Sequence, residues 1–255
     1  MQFRFLVDEP SEGAFNMAVD EALFLSASET GSATVRLYGF DPPTVSFGCR
    51  QTLEEAVDVA SCRELGVDWV RRPTGGRALL HQHELTYSVA SPAGGVFRGF
   101  GVRALYDSVS AAIRRALTGL GIPLDPAEPE AARTREPALD VPCLALPGRH
   151  EITSGGRKIV ASSQRRGRRV FLQQGSILRR VDADLWARVE PRGRPRASLH
   201  AVGIDELMGE PVSRELLVSS LLLSFEELFQ ARAALSGLTR LEIERIRELR
   251  KKYRS

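Results

Sequence analysis

The stretch HEITSGGRKIVASSQRRGRRVFLQQGSILRR, running from His150 to Arg180, reads as a set of strands joined by turns. Ser154-Gly155-Gly156 and the surroundings of Gly167 supply the reversals, because glycine takes backbone angles that tight turns demand. Further toward the N-terminus, Val102, Leu105, Tyr106, Val109, Ile113, Ala116, Leu117 and Leu120 form one apolar stripe that stops at Gly121, which predicts a helix lying on a sheet. RALLH and ELTYSVA alternate across from the Gly75-Gly76 turn, and VDWVRR, PTVSFGC and TVRLYGF read as further strands. Thr52 and Glu55 have the spacing of a capping box and open a helix expected to run to Leu65, where Gly66 ends it. Phe15, Ala18, Val19, Ala22 and Leu23 predict another helix over about Glu12–Ser28. Toward the C-terminus, Ser213 opens the helix SRELLVSSLLLSFEELFQ, and an arginine-rich helix begins near Thr239. Strands and helices alternate without βαβ regularity, so the fold class is α+β around a mixed sheet.

With 255 residues, 43% of them apolar and 26% charged, the chain is long enough to bury a substantial core. No window approaches the roughly 18 apolar residues of a membrane helix, and MQFRFLVDEP turns acidic where a secretion signal would stay apolar. A cytoplasmic protein with no membrane partner is expected. Cys49, Cys62 and Cys143 lie far apart, and His81, His83, His150 and His200 complete no ligand pattern, so neither a disulfide framework nor a metal site is expected. Arg165, Arg166, Arg168, Arg169, Arg179 and Arg180 crowd one stretch and suggest an acidic partner. A nucleic-acid partner is not expected, because no aromatic residues interleave the arginines and the net charge is only +3. Pro123 to Pro142 reads as a long loop rich in Pro, Glu and Ala, with Cys143 just beyond it.

The chain has 35 basic residues, yet its only lysines are Lys158, Lys251 and Lys252. A single internal lysine in so arginine-rich a sequence points to a task for a compact ammonium, such as favouring a thiolate or polarising a carbonyl. Cys143 supplies a candidate thiol, although a cysteine taken singly is more often a small buried hydrophobe, the reading kept for Cys49 and Cys62. In RRPTGGRALLHQHELTYS, Gly75 and Gly76 let the backbone approach a ligand closely, with Arg71, Arg72 and Arg77 adding charge. That combination suits an acyl chain with a polar or phosphorylated head, though a plain hairpin between solvated arginines fits equally. His81 taken singly reads as a packed, hydrogen-bonded side chain.

Taken together, NMAVDEAL, SFGCRQ, RRPTGGRALLHQHELTYS, CLALPGRHEI, GRKIVASSQRR and QQGSIL resemble the biotin and lipoate protein ligase superfamily, and within it the Gram-positive-type octanoyltransferases. The resemblance runs from the first helix to about Leu178 and implies a biotin/lipoate ligase-like catalytic domain, expected over residues 1–232, with a C-terminal helical tail expected over 233–255. It implies an acylated cysteine before a P-x-x-x-E-I stretch and a lysine in G-x-K-I-V-x-S-x-Q, which fall on Cys143 and Lys158. Arg72, Gly75, Gly76, Arg77 and His81 fall on the acyl-pocket loop and become candidate substrate-binding residues. The sequence departs from the family at Ala161, where glycine is usual, and at Pro147-Gly148-Arg149-His150-Glu151, where the family has Pro-Ser-x-Tyr-Glu.

The activity so implied is transfer of octanoyl from acyl carrier protein, through a cysteine thioester, to a lysine of a lipoyl-domain protein such as the glycine cleavage H protein. No cofactor is implied. Two alternatives share the fold: an ATP-dependent lipoate ligase, which has no need of the cysteine, and an amidotransferase that moves octanoyl between lipoyl domains.

Overall fold

The computed structural model describes residues 2–92, 102–127, 143–144, 151–192 and 199–253. Seven strands form the main sheet: β1 (Gln2–Val7), β2 (Thr34–Tyr38), β6 (Glu84–Pro92), β7 (Ile152–Ser154), β8 (Arg157–Arg166), β9 (Val170–Leu178) and β10 (Arg232–Leu235). Their spatial order is β10-β1-β2-β6-β9-β8-β7. β1 pairs in parallel with β10 and β2, and every pairing from β2 to β7 is antiparallel, so the sheet is mixed. A small second sheet, in the order β4-β3-β5, comprises β3 (Thr44–Phe47), β4 (Asp68–Arg71) and β5 (Leu79–His81).

Side chains alternate between the two faces of the main sheet. Val35, Leu37, Tyr87, Val89, Phe171 and Ile177 face α4 (Val102–Gly119) and α7 (Arg214–Phe229). Tyr38, Ala90, Val170 and Leu172 face α1 (Gly13–Thr30), which is covered in turn by α8 (Arg240–Tyr253). α1 is therefore interior on nearly all sides, and its polar residues Asn16 and Asp20 are fully buried. They are satisfied as a network: Arg36 donates to Asp20 at 2.9 Å and to Asn16 at 2.9 Å, while Tyr38, Ser88 and Gln174 all donate to the Asp20 carboxylate.

The helix expected from Thr52 to Leu65 is two helices, α2 (Leu53–Ala56) and α3 (Val59–Leu65). The capping box at Thr52 is present, but Val57 is extended and Asp58 caps a second start by accepting from the Ser61 amide at 2.8 Å. Cys49 is an exposed turn residue after β3, not a buried strand residue, whereas Cys62 is buried in α3 as expected. Most of the long loop expected up to Pro142 lies outside the described residues, as do Pro147 to His150. Two short helices precede α7, α5 (Ala183–Val189) and α6 (Ile204–Met208). The segment 233–255, expected as a helical tail, begins inside β10 and continues as α8 against α1. No described helix is long and apolar enough to cross a membrane.

The crowded arginines separate in space. Arg165, Arg166, Arg168 and Arg169 gather at the β8–β9 hairpin, and Arg179 and Arg180 lie past the other end of β9. Nine strand residues divide the two groups, roughly 30 Å of extended chain. The crowding along the sequence therefore does not gather all six on one face.

Glu21 joins the hairpin to the C-terminus, accepting from Arg165 at 2.9 Å, Lys252 at 2.6 Å and Tyr253 at 2.7 Å. Burial pushes its carboxyl upward, but the bonds from Lys252, Tyr253 and Arg165 outweigh this and hold it below the ordinary 4.5. A depressed carboxylate contributes stability that is present above the unfolded value and lost as pH falls through the folded one. Stability measured by urea unfolding should therefore fall between about pH 5 and about pH 3 more steeply in the wild type than in Glu21→Gln, which starts lower at neutral pH.

Candidate active site

Cys143 and Lys158 are brought together by backbone hydrogen bonds. The Cys143 amide donates to Ala78 O at 3.1 Å, just ahead of β5. Its neighbour Leu144 accepts from the His200 amide at 2.8 Å, and His200 O accepts from the Lys158 amide, also at 2.8 Å. Residues 200–202 thus bridge the Cys143 turn and β8. The β7–β8 turn is fixed by Gly155 and Gly156, with φ of +55° and +71°, whose amides donate to the two oxygens of Asp125 at 2.8 and 2.9 Å. Those bonds hold the Asp125 carboxyl below its usual range.

The Lys158 side chain is entirely shielded from solvent. Its Nζ lies 2.7 Å from Glu151 Oε1, bonds the Cys143 carbonyl, and stands 4.0 Å from Cys143 Sγ. The three N–H groups of an ammonium thus have three separate acceptors, an arrangement that the planar fork of arginine does not match. Glu151, itself only 8% exposed, supplies the opposite charge that a buried cation requires. Sequence reasoning passed over Glu151, although it is the glutamate of the P-x-x-x-E-I stretch. Tyr106 of α4 was likewise missed; burial, with Tyr87, Glu151 and Cys143 nearby, pushes its hydroxyl far upward. Cys62 is excluded as a nucleophile, since burial and Asp58 push its thiol up to about 11.

Arg72 clamps the loop that follows β4. Nε and Nη2 donate to Gly75 O at 3.1 and 2.7 Å, Nη1 to Ser46 O and Oγ at 3.0 Å each, and Nη2 also to Arg77 O at 2.8 Å. All its N–H groups are committed within the protein, so it shapes the loop and has no donor left for a ligand. Thr74 adds a second tether, hydrogen-bonding Ser163 of β8 and Gln174 of β9 at 2.8 Å each. Gly76 has φ +85°, a left-handed conformation suited to glycine, and a Cβ at Gly75 would meet nothing within 4 Å. Gly48, also missed in the sequence, is needed for contact: a Cβ there would lie 2.1 Å from Gly76 O. His81 is buried, stacked on Phe40 at 4.1 Å, with Nε2 against Ser46 Oγ at 2.8 Å and Nδ1 near Glu84 and Ser176. It is packed and hydrogen-bonded, as its residue-level reading had it.

Leu79, Leu144, Ala161 and Leu178 form an apolar cluster on which Cys143 packs. The slot beside it, lined also by Leu80, Trp186 and Leu199, holds only about 30 Å³ of water-accessible space. That is room for about a single water. A larger, polar groove of about 520 Å³ adjoins it across Gln82, His83 and Arg180. Among the described residues no group of three or more His, Cys, Asp or Glu is placed to hold a metal.

Residues 12–226 match the lipoyl protein ligase A/B catalytic domain, and the chain belongs to that family. It is 38% identical to an octanoyltransferase LipM of Kyrpidia tusciae, over 98% of this chain and 96% of that one. It is 36% identical to an octanoyltransferase LipM of Moorella thermoacetica, over 98% and 95%. In fold it is similar to a bi-partite lipoate protein ligase of Thermoplasma acidophilum, with a TM-score of 0.81 at 21% identity, over 99% of this chain and 93% of the other. The α+β architecture with a mixed sheet is thus the one expected.

Gly48→Ala should force the Gly76 carbonyl away and cost about 1–3 kcal/mol of stability. Hydrogen exchange at residues 74–78 should rise more than exchange across α4, because the clash acts on the loop.

Proposed function

We propose that the protein is an acyltransferase that takes octanoyl from an acyl carrier protein thioester onto Cys143 and passes it to a lysine of a lipoyl-domain acceptor such as the glycine cleavage H protein. The observation that carries this reading is the fully buried Lys158 ammonium 4.0 Å from the Cys143 sulfur. Relatives named octanoyltransferase, matched over nearly the whole chain, support the octanoyl group.

In the first step the Cys143 thiolate attacks the thioester carbon, the donor's C–S bond breaks, and the donor leaves as a thiol after taking up a proton. Lys158 favours the sulfur anion and the developing oxyanion by its charge. In the second step the neutral amine of the acceptor lysine attacks the acyl-cysteine, an amide forms with loss of the amine proton, and Cys143 is released. Thioester exchange is close to balanced and amide formation runs downhill, so the cycle has no step for ATP to drive. Glu151 supplies the counter-charge beside Lys158 throughout.

Incubation with octanoyl carrier protein, without ATP, should add one octanoyl mass that hydroxylamine removes. Cys143→Ser should lack the hydroxylamine-labile adduct, and an adduct unchanged in that variant overturns the assignment. A strict need for ATP and free acid would instead indicate a ligase. Lys158→Arg should slow Cys143 acylation by about a hundredfold or more, read by mass spectrometry at fixed times, because the fork cannot meet three divergent acceptors.

A further inference from the structure

Two arginines of one motif end in opposite conditions. Every N–H of Arg72 is bonded to the protein. Arg77 is comparably buried, at 8% exposure against 7%, yet its Nη1 is wholly shielded and meets no acceptor among the described residues. No ion pair of Arg77 occurs among them either. A guanidinium keeps its charge at any ordinary pH, and a buried charge without a counter-charge is costly. Simple packing leaves such a cost unexplained.

The position of Arg77 relates that cost to the candidate site. Its own carbonyl is held by Arg72 Nη2 at 2.8 Å, and the next carbonyl, Ala78 O, holds the Cys143 amide at 3.1 Å. The root of the side chain is therefore fixed within one residue of the backbone anchor of Cys143. Resting on the transfer reading above, the reactants narrow the choice of anion. The acyl end of the donor is a neutral thioester, and the acceptor brings an amine. A full negative charge is found on the arm that carries the thioester.

We propose that Arg77 anchors an anion subsite on the loop that holds the Cys143 amide, set back from the sulfur by the length of the donor's arm, and that its ligand is the phosphate at the far end of that arm. Arginine suits the task because its planar donors match phosphate oxygens in pairs. The two arginines then divide the work, with Arg72 building the loop and Arg77 receiving the donor.

The test compares octanoyl-pantetheine with octanoyl-4′-phosphopantetheine as donors to the full chain, reading Cys143 acylation by mass. The wild type should favour the phosphorylated donor in kcat/KM by about tenfold or more. Arg77→Gln should abolish that preference, and Arg77→Lys should keep part of it. Equal use of both donors by the wild type overturns the inference without recourse to any variant. So does a preference that survives Arg77→Gln, or a loss in that variant that is the same for both donors. Acylation of Cys143 by neither donor overturns the transfer reading together with this one, whereas equal acylation by both overturns the subsite alone.

Discussion

A protonated amine that has lost all contact with water must find an acceptor for each N–H, and the candidate site is organised around that demand. Lys158 draws the Glu151 carboxylate, the Cys143 carbonyl and the Cys143 sulfur to one point. The carboxylate offsets the charge, the carbonyl fixes the turn, and the sulfur is left facing a cation. Because Nζ bonds Cys143 through its backbone as well as facing its side chain, the thiol stays within reach even where the surrounding chain is a loop. Fifteen residues of separation are closed by backbone bonds through Ala78 and His200, so that the side-chain contact completes an approach the main chain has already made.

The opposite wall is built on the same principle with a different cation. Arg72 spends its donors on carbonyls of residues 46, 75 and 77, turning a glycine-rich loop into a fixed surface. Thr74 then ties that surface to Gln174, which donates to Asp20 at 2.6 Å in the buried network under α1. The loop is thus braced by the core of the molecule, and a disturbance of Asp20 would reach it through only two side chains, Gln174 and Thr74. Surface loops seldom have such support, which is why a loop residue here can hold a position as well as a strand residue does.

Much of this was legible in the sequence because the patterns are local. The stripe from Leu105 to Leu120, the Gly155-Gly156 turn and the capping box at Thr52 are each written in one short continuous segment, and each is present. Cys143 and Lys158 were legible through motif order, and the structure brings the two side chains together. What escaped depends on contacts remote in sequence. Asp58 caps a second helix only because the chain turns extended at Val57. Glu151 matters through a partner across the β7–β8 turn, and Gly48 through a carbonyl 28 positions away. The arginine crowding misled for the converse reason: nearness along a strand is distance in space, and β9 carries its two flanking clusters to opposite ends.

The contrast between the two sides of the candidate site indicates where movement must come from. Its polar side is over-determined by Arg72, Thr74 and Lys158, each with several partners, and cannot yield without exposing buried charge or breaking several bonds. Its apolar side is Leu79, Leu144, Ala161 and Leu178, held by dispersion alone, and the remaining space is no larger than a water. Seven carbons beyond the carbonyl of an octanoyl group amount to about 6 kcal/mol of apolar transfer at roughly 0.8 kcal/mol per methylene. That is enough to offset new rotamers for a few leucines, each costing on the order of 1 kcal/mol. On the transfer reading proposed above, the room for an acyl chain is made on the soft side while the charged side stays still. Ala161, in place of the glycine usual in the resembling family, adds a methyl group to that apolar cluster.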